Sequence, residues 1–376
     1  MIALLALIPV AIWLYLLAGH GMFWMMRERD AGDVGAPPPR WPSVVAVVPA
    51  RNEADVVGET VASLLAQDYP GPFRIIVVDD QSTDDTAAAL RALGSGEKLT
   101  VFTAPTRAAG WTGKLWALRQ GIAEAGTPDF FWFTDADIAH SPDNLRRLVA
   151  RAEANNLVLA SLMAKLHCKS WFERYLIPAF VFFFAMLFPF AWVNEPKNKT
   201  AAAAGGCVLV RRDALERAGN IDAIRAEIID DCALGRALKS QGPIWLGLTE
   251  RAASVRPYRT MAEIHAMVAR SAYAQLGYSP SLLLATVVGL FAIFGAPPLL
   301  ALFARESAQA SGILAWAAMT LAFQPILKFY RLSPLWGLVL PMIVAVYALF
   351  TFDSALQHWR GRGGMWKGRA QAMGPT

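Results

Sequence analysis

Three short acidic clusters in this chain have residue types and spacing that could do chemistry: Pro49-Ala50-Arg51-Asn52-Glu53, Asp79-Asp80-Gln81-Ser82-Thr83-Asp84 and Thr134-Asp135-Ala136-Asp137. Each follows a run of β-branched or aromatic residues, so each is expected at the end of a strand. In an extended chain residues i and i+2 point the same way, so Asp135 and Asp137 are expected to face one ligand. A carboxylate pair at a strand terminus suits a hard divalent metal, magnesium or manganese, that keeps open positions for substrate phosphates. Such a metal would bridge a diphosphate. Acidic residues also follow strands as turn formers and helix caps, which is the role expected of Asp84. Three clusters on successive strand ends exceed what turns alone require.

The elements that must hold these clusters alternate. Residues 43–49 (SVVAVVP) and 74–80 (RIIVVDD) read as strands, and 54–67 and 83–93 follow them with helical periodicity. Strands are expected again at 99–103, 130–135 and 157–165, with helices at 113–125 and 142–154. The pattern predicts an α/β fold with a mainly parallel sheet covered by helices on both faces. In such sheets ligands bind outside the carboxyl ends of the strands, where the acidic clusters fall.

With 55% hydrophobic and 17% charged residues, the chain is too apolar for a purely soluble enzyme and too charged for a pure transporter. The net charge of +5 suits anionic lipid headgroups or phosphorylated substrates at least as well as nucleic acid, and decides little. Cys168, Cys207 and Cys232 form no CxxC pair and have no histidine at metal spacing, which argues for a reducing compartment and against structural zinc. Residues 1–26 lack charge until Arg27 and Arg29, and are expected to be an N-terminal transmembrane anchor; a cleaved signal peptide would carry basic residues ahead of its apolar core. Residues 271–304, 307–327 and 332–352 are uncharged and long enough to span, so transmembrane helices are expected at both ends of the chain. The basic residues near the anchor, and Arg360, Arg362, Lys367 and Arg369 in the tail of 353–376, place the soluble region and the tail in the cytoplasm. Three later spans conflict with that, so one is expected to be a hairpin or interfacial. Gly295, Pro297 and Pro298 mark the first as the one to break.

From residue 43 to 270 the motifs resemble the family 2 glycosyltransferases. Their GT-A (Rossmann-like) fold carries a Pro-Ala-Arg-Asn-Glu-type opening, a DDxSxD turn, a DxD motif and a later ED-like pair. The resemblance implies a nucleotide-sugar donor, of the UDP class, with Pro49, Ala50, Arg51, Glu53, Asp79 and Asp80 at its uracil and ribose. It implies that Asp135 and Asp137 hold the metal, and that Lys114, in Trp111-Thr112-Gly113-Lys114, faces the donor; a surface lysine would look the same. Residues 204–212 (AGGCVLVRR) look like the glycine-led acceptor-side strand, or an ordinary strand with a glycine for close packing. Glu227-Ile228-Ile229-Asp230-Asp231-Cys232-Ala233-Leu234-Gly235 is similar to ED-x-x-LG, which puts Asp231 at the catalytic base. An acceptor hydroxyl needs a carboxylate to take its proton, while the metal stabilises the departing diphosphate. Alternatively Asp230 and Asp231 merely cap a helix running to Lys239.

The family's Q-x-x-R-W element survives only as Met267-Val268-Ala269-Arg270-Ser271. Arg270 is therefore a candidate catalytic residue that neutralises the diphosphate, or else a snorkelling residue at the membrane boundary. The missing tryptophan argues for single transfer over processive synthesis. A glycosyltransferase domain at 41–270, with membrane segments at 271–352, resembles the ceramide glucosyltransferase-like branch, most closely the hopanoid-biosynthesis-associated enzymes. That implies a membrane lipid acceptor such as a hopanoid, and a bacterial inner-membrane location. Trp366-Lys367-Gly368-Arg369 resembles a tail motif of membrane glycosyltransferases. The rivals are a polyprenyl-phosphate or polysaccharide glycosyltransferase, a nucleotide-binding scaffold, which a lost DxD aspartate would have favoured, and a transporter, which usually needs intramembrane charge. The apolar run 175–193 (YLIPAFVFFFAMLFPFAWV) lies between the DxD pair and Asp231, and a single crossing there would separate metal site and base. It is expected to be interfacial or re-entrant, broken at Pro178 and Pro189, with a buried core helix as the alternative.

Overall fold

A computed structural model describes residues 5–32, 34–93, 96–367 and 369–370. The chain forms two compact units, one from Glu28–His167, Trp192–Pro257 and Met365–Thr376, the other from Met1–Arg27, Cys168–Ala191 and Tyr258–Gly364.

The first unit is built on an eight-stranded sheet. Its strands are β1 Val44–Ala50, β2 Phe73–Asp79, β3 Leu99–Thr103, β4 Phe130–Phe133, β5 Ile138–His140, β6 Leu159–Lys165, β7 Val208–Arg211 and β8 Ile244–Ser254. They lie in the order β3-β2-β1-β4-β7-β6-β8-β5. β1 is Val-Val-Ala-Val-Val-Pro-Ala and is buried along its whole length, as a central parallel strand covered on both faces must be. It pairs in parallel with β2 and β4, and β2 pairs in parallel with β3. The parallel character expected from the sequence holds through this half. Beyond it β7 runs antiparallel to β4 and β6, and β5 antiparallel to β8. The helices Val57–Leu65, Gly113–Glu124 and Asn144–Ala154 cover the faces, close to the spans that periodicity predicts. The core between the layers includes Val48, Val61, Leu64, Ile75, Trp132, Leu145 and Val149.

The second unit is helical. Among the described residues three helices are long and apolar enough to cross a membrane: Pro280–Phe303, Glu306–Phe329 and Pro334–Trp359. Side chains such as Leu284, Phe303, Leu314 and Leu349 are more than 60% exposed on these helices, the surface expected of groups that meet lipid instead of water. The structure corrects three expectations. At the amino-terminal end the helix is Ile8–Ala18, eleven residues, about 16 Å at 1.5 Å per residue and roughly half a bilayer core. Met22 and Met26, both at positive φ, then turn the chain, so among the described residues the helices long enough to span stand at the carboxyl side. The first carboxyl-side helix does not break at Gly295: a π-helical turn at Phe291–Gly295 leads into Ala296–Phe303, where the prolines occupy a first turn that tolerates a missing N–H. Finally, Pro178 lies inside the continuous helix Trp171–Leu187, and only Pro189 coincides with a break, before Phe190–Asn194. That helix starts from a capping box, Ser170 with Glu173, and its Phe182 and Phe183 pack on Phe23, Phe294, Phe323 and Tyr347.

Candidate active site

The loops that leave β1 and β2 are bound to each other. Asp80 N donates to the carbonyl of Ala50 at 2.8 Å, and the buried Arg51 guanidinium donates to the carbonyls of Asp80 and Gln81. Asn52 and Gln81 both take positive φ, which Asn tolerates better than most residues. Asn52 N donates to Ser82 Oγ, Glu53 N to Thr86 Oγ1, and Ala54 N to Asp84 Oδ2. Asp79 accepts from Ser82 N at 3.1 Å and from Thr103 Oγ1 at 3.5 Å. Arg51, Asp79 and Asp84 thus shape the paired loops, and Asp84 joins both of them in addition to the turn role expected of it.

The third cluster sits in a turn. β4 ends at Phe133, so Asp135 and Asp137 are not on an extended strand, and their carboxylates meet different cations. Asp135 Oδ1 lies 2.8 Å from Lys114 Nζ, and Asp137 Oδ2 accepts from Arg256 Nε at 3.0 Å. A buried polar set supports this turn: Thr134 Oγ1 donates to the carbonyl of Gly206 at 2.9 Å and shares a hydrogen bond with His140, whose other ring nitrogen meets Asn144. Burial holds the His140 imidazole neutral, lowering its pKa to about 3.

Lys114 starts the helix Gly113–Glu124 and reaches across to the fourth motif, with Nζ 3.1 Å from Asp230 Oδ2. Burial opposes its charge, but Asp135 and Asp230 overcome that and hold the ammonium well above the ordinary lysine range. Asp230 and Asp231 open the helix Asp230–Lys239 without making a side-chain cap. Asp231 Oδ2 accepts from Gly205 N at 3.0 Å and Oδ1 from Cys232 N at 2.7 Å. Burial and the adjacent Asp230 nonetheless push its pKa up to about 6. Gly205 precedes β7, and a Cβ there would stand 3.1 Å from Lys114 Nζ, a tight contact, and 3.4 Å from Asp231 Oδ2, so the glycine leaves room for the lysine between the carboxylates.

Pro49, Lys114, Asp135, Gly205, Asp230 and Asp231 line one cleft of about 340 Å³ of empty space, open solvent included. Of the residues singled out in the sequence, Ala50 and Asp80 lie buried beneath the paired loops, while Glu53 is ion-paired with Arg256 and with Lys367. Arg270 belongs to the other unit, exposed on the helix Met261–Gln275. Sequence reasoning missed Arg256. Its place follows from register: Ile138 of β5 pairs with Ser254 of β8, and Val255 N donates to the carbonyl of Asp137. A three-residue strand carries no periodicity that could have announced that pairing.

Among the described residues no group of three or more His, Cys, Asp or Glu is arranged around a metal position. The donor set still fits a hard cation that shares its coordination with substrate phosphates, since Asp135 and Asp137 offer two carboxylates and no soft ligand. Burial, with the like charge of Asp135, pushes Asp137 up to about 6, an electrostatic cost that a cation between the two would relieve.

Residues 45–219 match the family model described as glycosyl transferase family 2. With that match, the fold and the site define the class: this segment is a family 2 glycosyltransferase domain of the GT-A α/β fold. A stretch of 141 residues is 31% identical to the N-acetylglucosaminyltransferase of Azorhizobium caulinodans, covering 36% of this chain and 34% of that protein. Another match, of 120 residues, is 38% identical to the beta-monoglucosyldiacylglycerol synthase of Synechocystis sp., covering 31% of this chain and 24% of that protein. The 4,4'-diaponeurosporenoate glycosyltransferase of Staphylococcus aureus is 37% identical over 97 residues, 26% of this chain and 24% of that one. The matches span about a quarter to a third of the length of these relatives. Among solved structures, the mannosyltransferase PcManGT from Pyrobaculum calidifontis, in complex with GDP-Man and Mn2+, aligns over 96% of this chain and all of its own at a TM-score of 0.57 and 20% identity. At that identity the likeness shows the fold.

Proposed function

We propose that this protein moves a single sugar from a nucleotide-sugar donor, of the UDP class, to the hydroxyl of a membrane lipid, with inversion at the anomeric carbon. The observation that carries the reading is the convergence of Asp135, Lys114 and Asp231 on one cleft at the carboxyl end of β1 and β4, with Asp231 oriented by two backbone amides. The acceptor oxygen attacks the anomeric carbon, its proton passes to the Asp231 carboxylate, and the bond from that carbon to the diphosphate oxygen breaks. Lys114 contributes positive charge on the side where the leaving diphosphate gains negative charge. Asp135 and Asp137 would hold a divalent cation, which when bound offsets the charge of the departing diphosphate.

Two features support a lipid acceptor. Among the described residues three helices have the length and composition of membrane spans, and two of the similar proteins are named a beta-monoglucosyldiacylglycerol synthase and a 4,4'-diaponeurosporenoate glycosyltransferase. A hopanoid or another polycyclic lipid is the acceptor in this reading, and the sheet unit works at the cytoplasmic face of a bacterial inner membrane.

The test is direct. Purified full-length protein, incubated with radiolabelled nucleotide sugars and a membrane lipid extract, should label a lipid fraction in the presence of Mg2+ or Mn2+ and not in excess chelator. Asp137→Ala should abolish transfer while the fold persists, because it removes a turn side chain and not a core one. Full activity in chelator would sink the metal assignment. Label confined to polyprenyl phosphate or to polysaccharide would replace the acceptor.

A further inference from the structure

Beside the cleft runs a line of charges whose two cations, Lys367 and Arg256, the chemistry above leaves unused. Lys367 Nζ stands 2.9 Å from Glu53 Oε1, Glu53 Oε2 pairs with Arg256, and Arg256 Nε donates to Asp137 Oδ2 at 3.0 Å. Lys367 also donates to the carbonyl of Asn52 at 3.2 Å. Four side chains thus form one line, Lys367–Glu53–Arg256–Asp137, drawn from the loop after β1, the turn after β4, the end of β8 and the turn between two short strands, β9 Met365–Trp366 and β10 Arg369–Ala370. Glu53 is only 8% exposed. Withdrawing such charges from water costs about as much as their pairing returns, so a row of this kind is weak evidence for stability and invites a functional account.

We propose that Lys367, with Arg256, is the cationic subsite for the donor diphosphate, and that Glu53 and Asp137 hold the two cations in place while no donor is bound. The inference rests on the donor reading above. Arg256 donates to the Asp137 carboxylate that the reading gives to a divalent cation, and a bound cation competes with it for that negative charge. Loading the site therefore loosens the hold on a guanidinium whose planar fork suits phosphate oxygens. Lys367 stays anchored through the Asn52 carbonyl, on the loop that begins at Arg51, which keeps its ammonium beside the incoming phosphates as a point charge. In consequence the segment that follows the last apolar helix is a working part of the donor site.

Equilibrium binding of uridine diphosphate and of uridine to full-length protein in detergent, with Mn2+ present, separates the possibilities. Lys367→Ala should weaken uridine diphosphate by roughly 10- to 100-fold and leave uridine unchanged, because only the diphosphate loses a charge-assisted partner. Lys367→Arg should recover most of the loss. A melting temperature within error of the wild type's shows that Lys367→Ala is folded. Unchanged uridine diphosphate affinity overturns the proposal, and so does an equal loss for both ligands, which would make Lys367 a support of the loop alone. If wild-type protein binds neither uridine diphosphate nor guanosine diphosphate, it is the donor reading that fails.

Discussion

Asp231 accepts two backbone amides, an arrangement that by itself would favour its charged form, yet burial and Asp230 prevail and raise it to about 6. A general base works best when its pKa lies near the operating pH. The sign follows: the deprotonated form takes the acceptor's proton, so the transfer rate should hold above about pH 6 and fall about tenfold per unit below it. Asp230→Asn removes the like charge and leaves Lys114 to favour the Asp231 anion, so the acid limb of the pH–rate profile should move to lower pH. An unmoved limb would assign the titration to another group. Asp231→Asn keeps the shape of the side chain but cannot accept a proton. Transfer should drop by roughly 10²- to 10⁴-fold with donor affinity intact; loss of donor binding instead would make Asp231 part of the nucleotide site.

At the scale of elements, the base is only as well placed as the helix Asp230–Lys239. That helix lies against the segment leading into β7, and Gly235 is the point of contact: a Cβ there would come within 2.7 Å of the carbonyl carbon of Ala202 and 3.0 Å of its Cα. Both neighbours are backbone and cannot swing aside. Gly235→Val should therefore displace the helix, destabilising the domain by about 1–3 kcal/mol and lowering transfer, as measured by denaturant unfolding beside activity. An unchanged unfolding midpoint would show that the helix has room to shift. The Leu-Gly step was visible in the sequence as part of a motif, but its reason, a backbone-to-backbone approach, was not. The strands β1 to β4 and their helices were legible because each carries its own period of apolar residues. β5 and β8 were not, since β5 has three residues and β8 mixes Gly, Thr, Glu and Arg into its apolar run.

On the scale of the whole molecule, the sheet unit sets a constraint on topology. Residues 28–167, 192–257 and 365–370 belong to one compact unit, and Lys367 is ion-paired with Glu53 inside it. A folded unit occupies one side of a bilayer, so the chain must cross an even number of times between 167 and 192 and again between 257 and 365. The second interval holds three helices with the character of spans. We predict that two of these cross and that one enters and leaves on the same face. The run 175–193 is predicted not to cross. Single cysteines at Arg174, Asn194, Arg305 and Arg362, probed with an impermeant thiol reagent in intact cells and inverted vesicles, check this. Arg174, Asn194 and Arg362 should label from the same face. Labelling of Arg174 and Asn194 from opposite faces, or of Asn194 and Arg362, would contradict the single-unit arrangement.

The parts that depend on a local window were legible in the residues themselves: the strand-and-helix alternation, the acidic turns at the carboxyl ends of β1, β2 and β4, and the three long apolar stretches near the carboxyl end. Periodicity and turn chemistry act over a few residues, and so they can be read along the chain. Tertiary structure alone decided which cation stands on which carboxylate. Arg256 reaches Asp137 across 119 residues through the β5–β8 register, and Lys367 reaches Asn52 across 315. It also decided that Gly295, Pro297 and Pro298 continue a helix through a π turn, and that Pro178 sits within one. Hydropathy reports how apolar a segment is, but whether a proline breaks a helix depends on how the neighbouring turns and packed side chains accommodate the missing N–H, and the local sequence does not contain those neighbours.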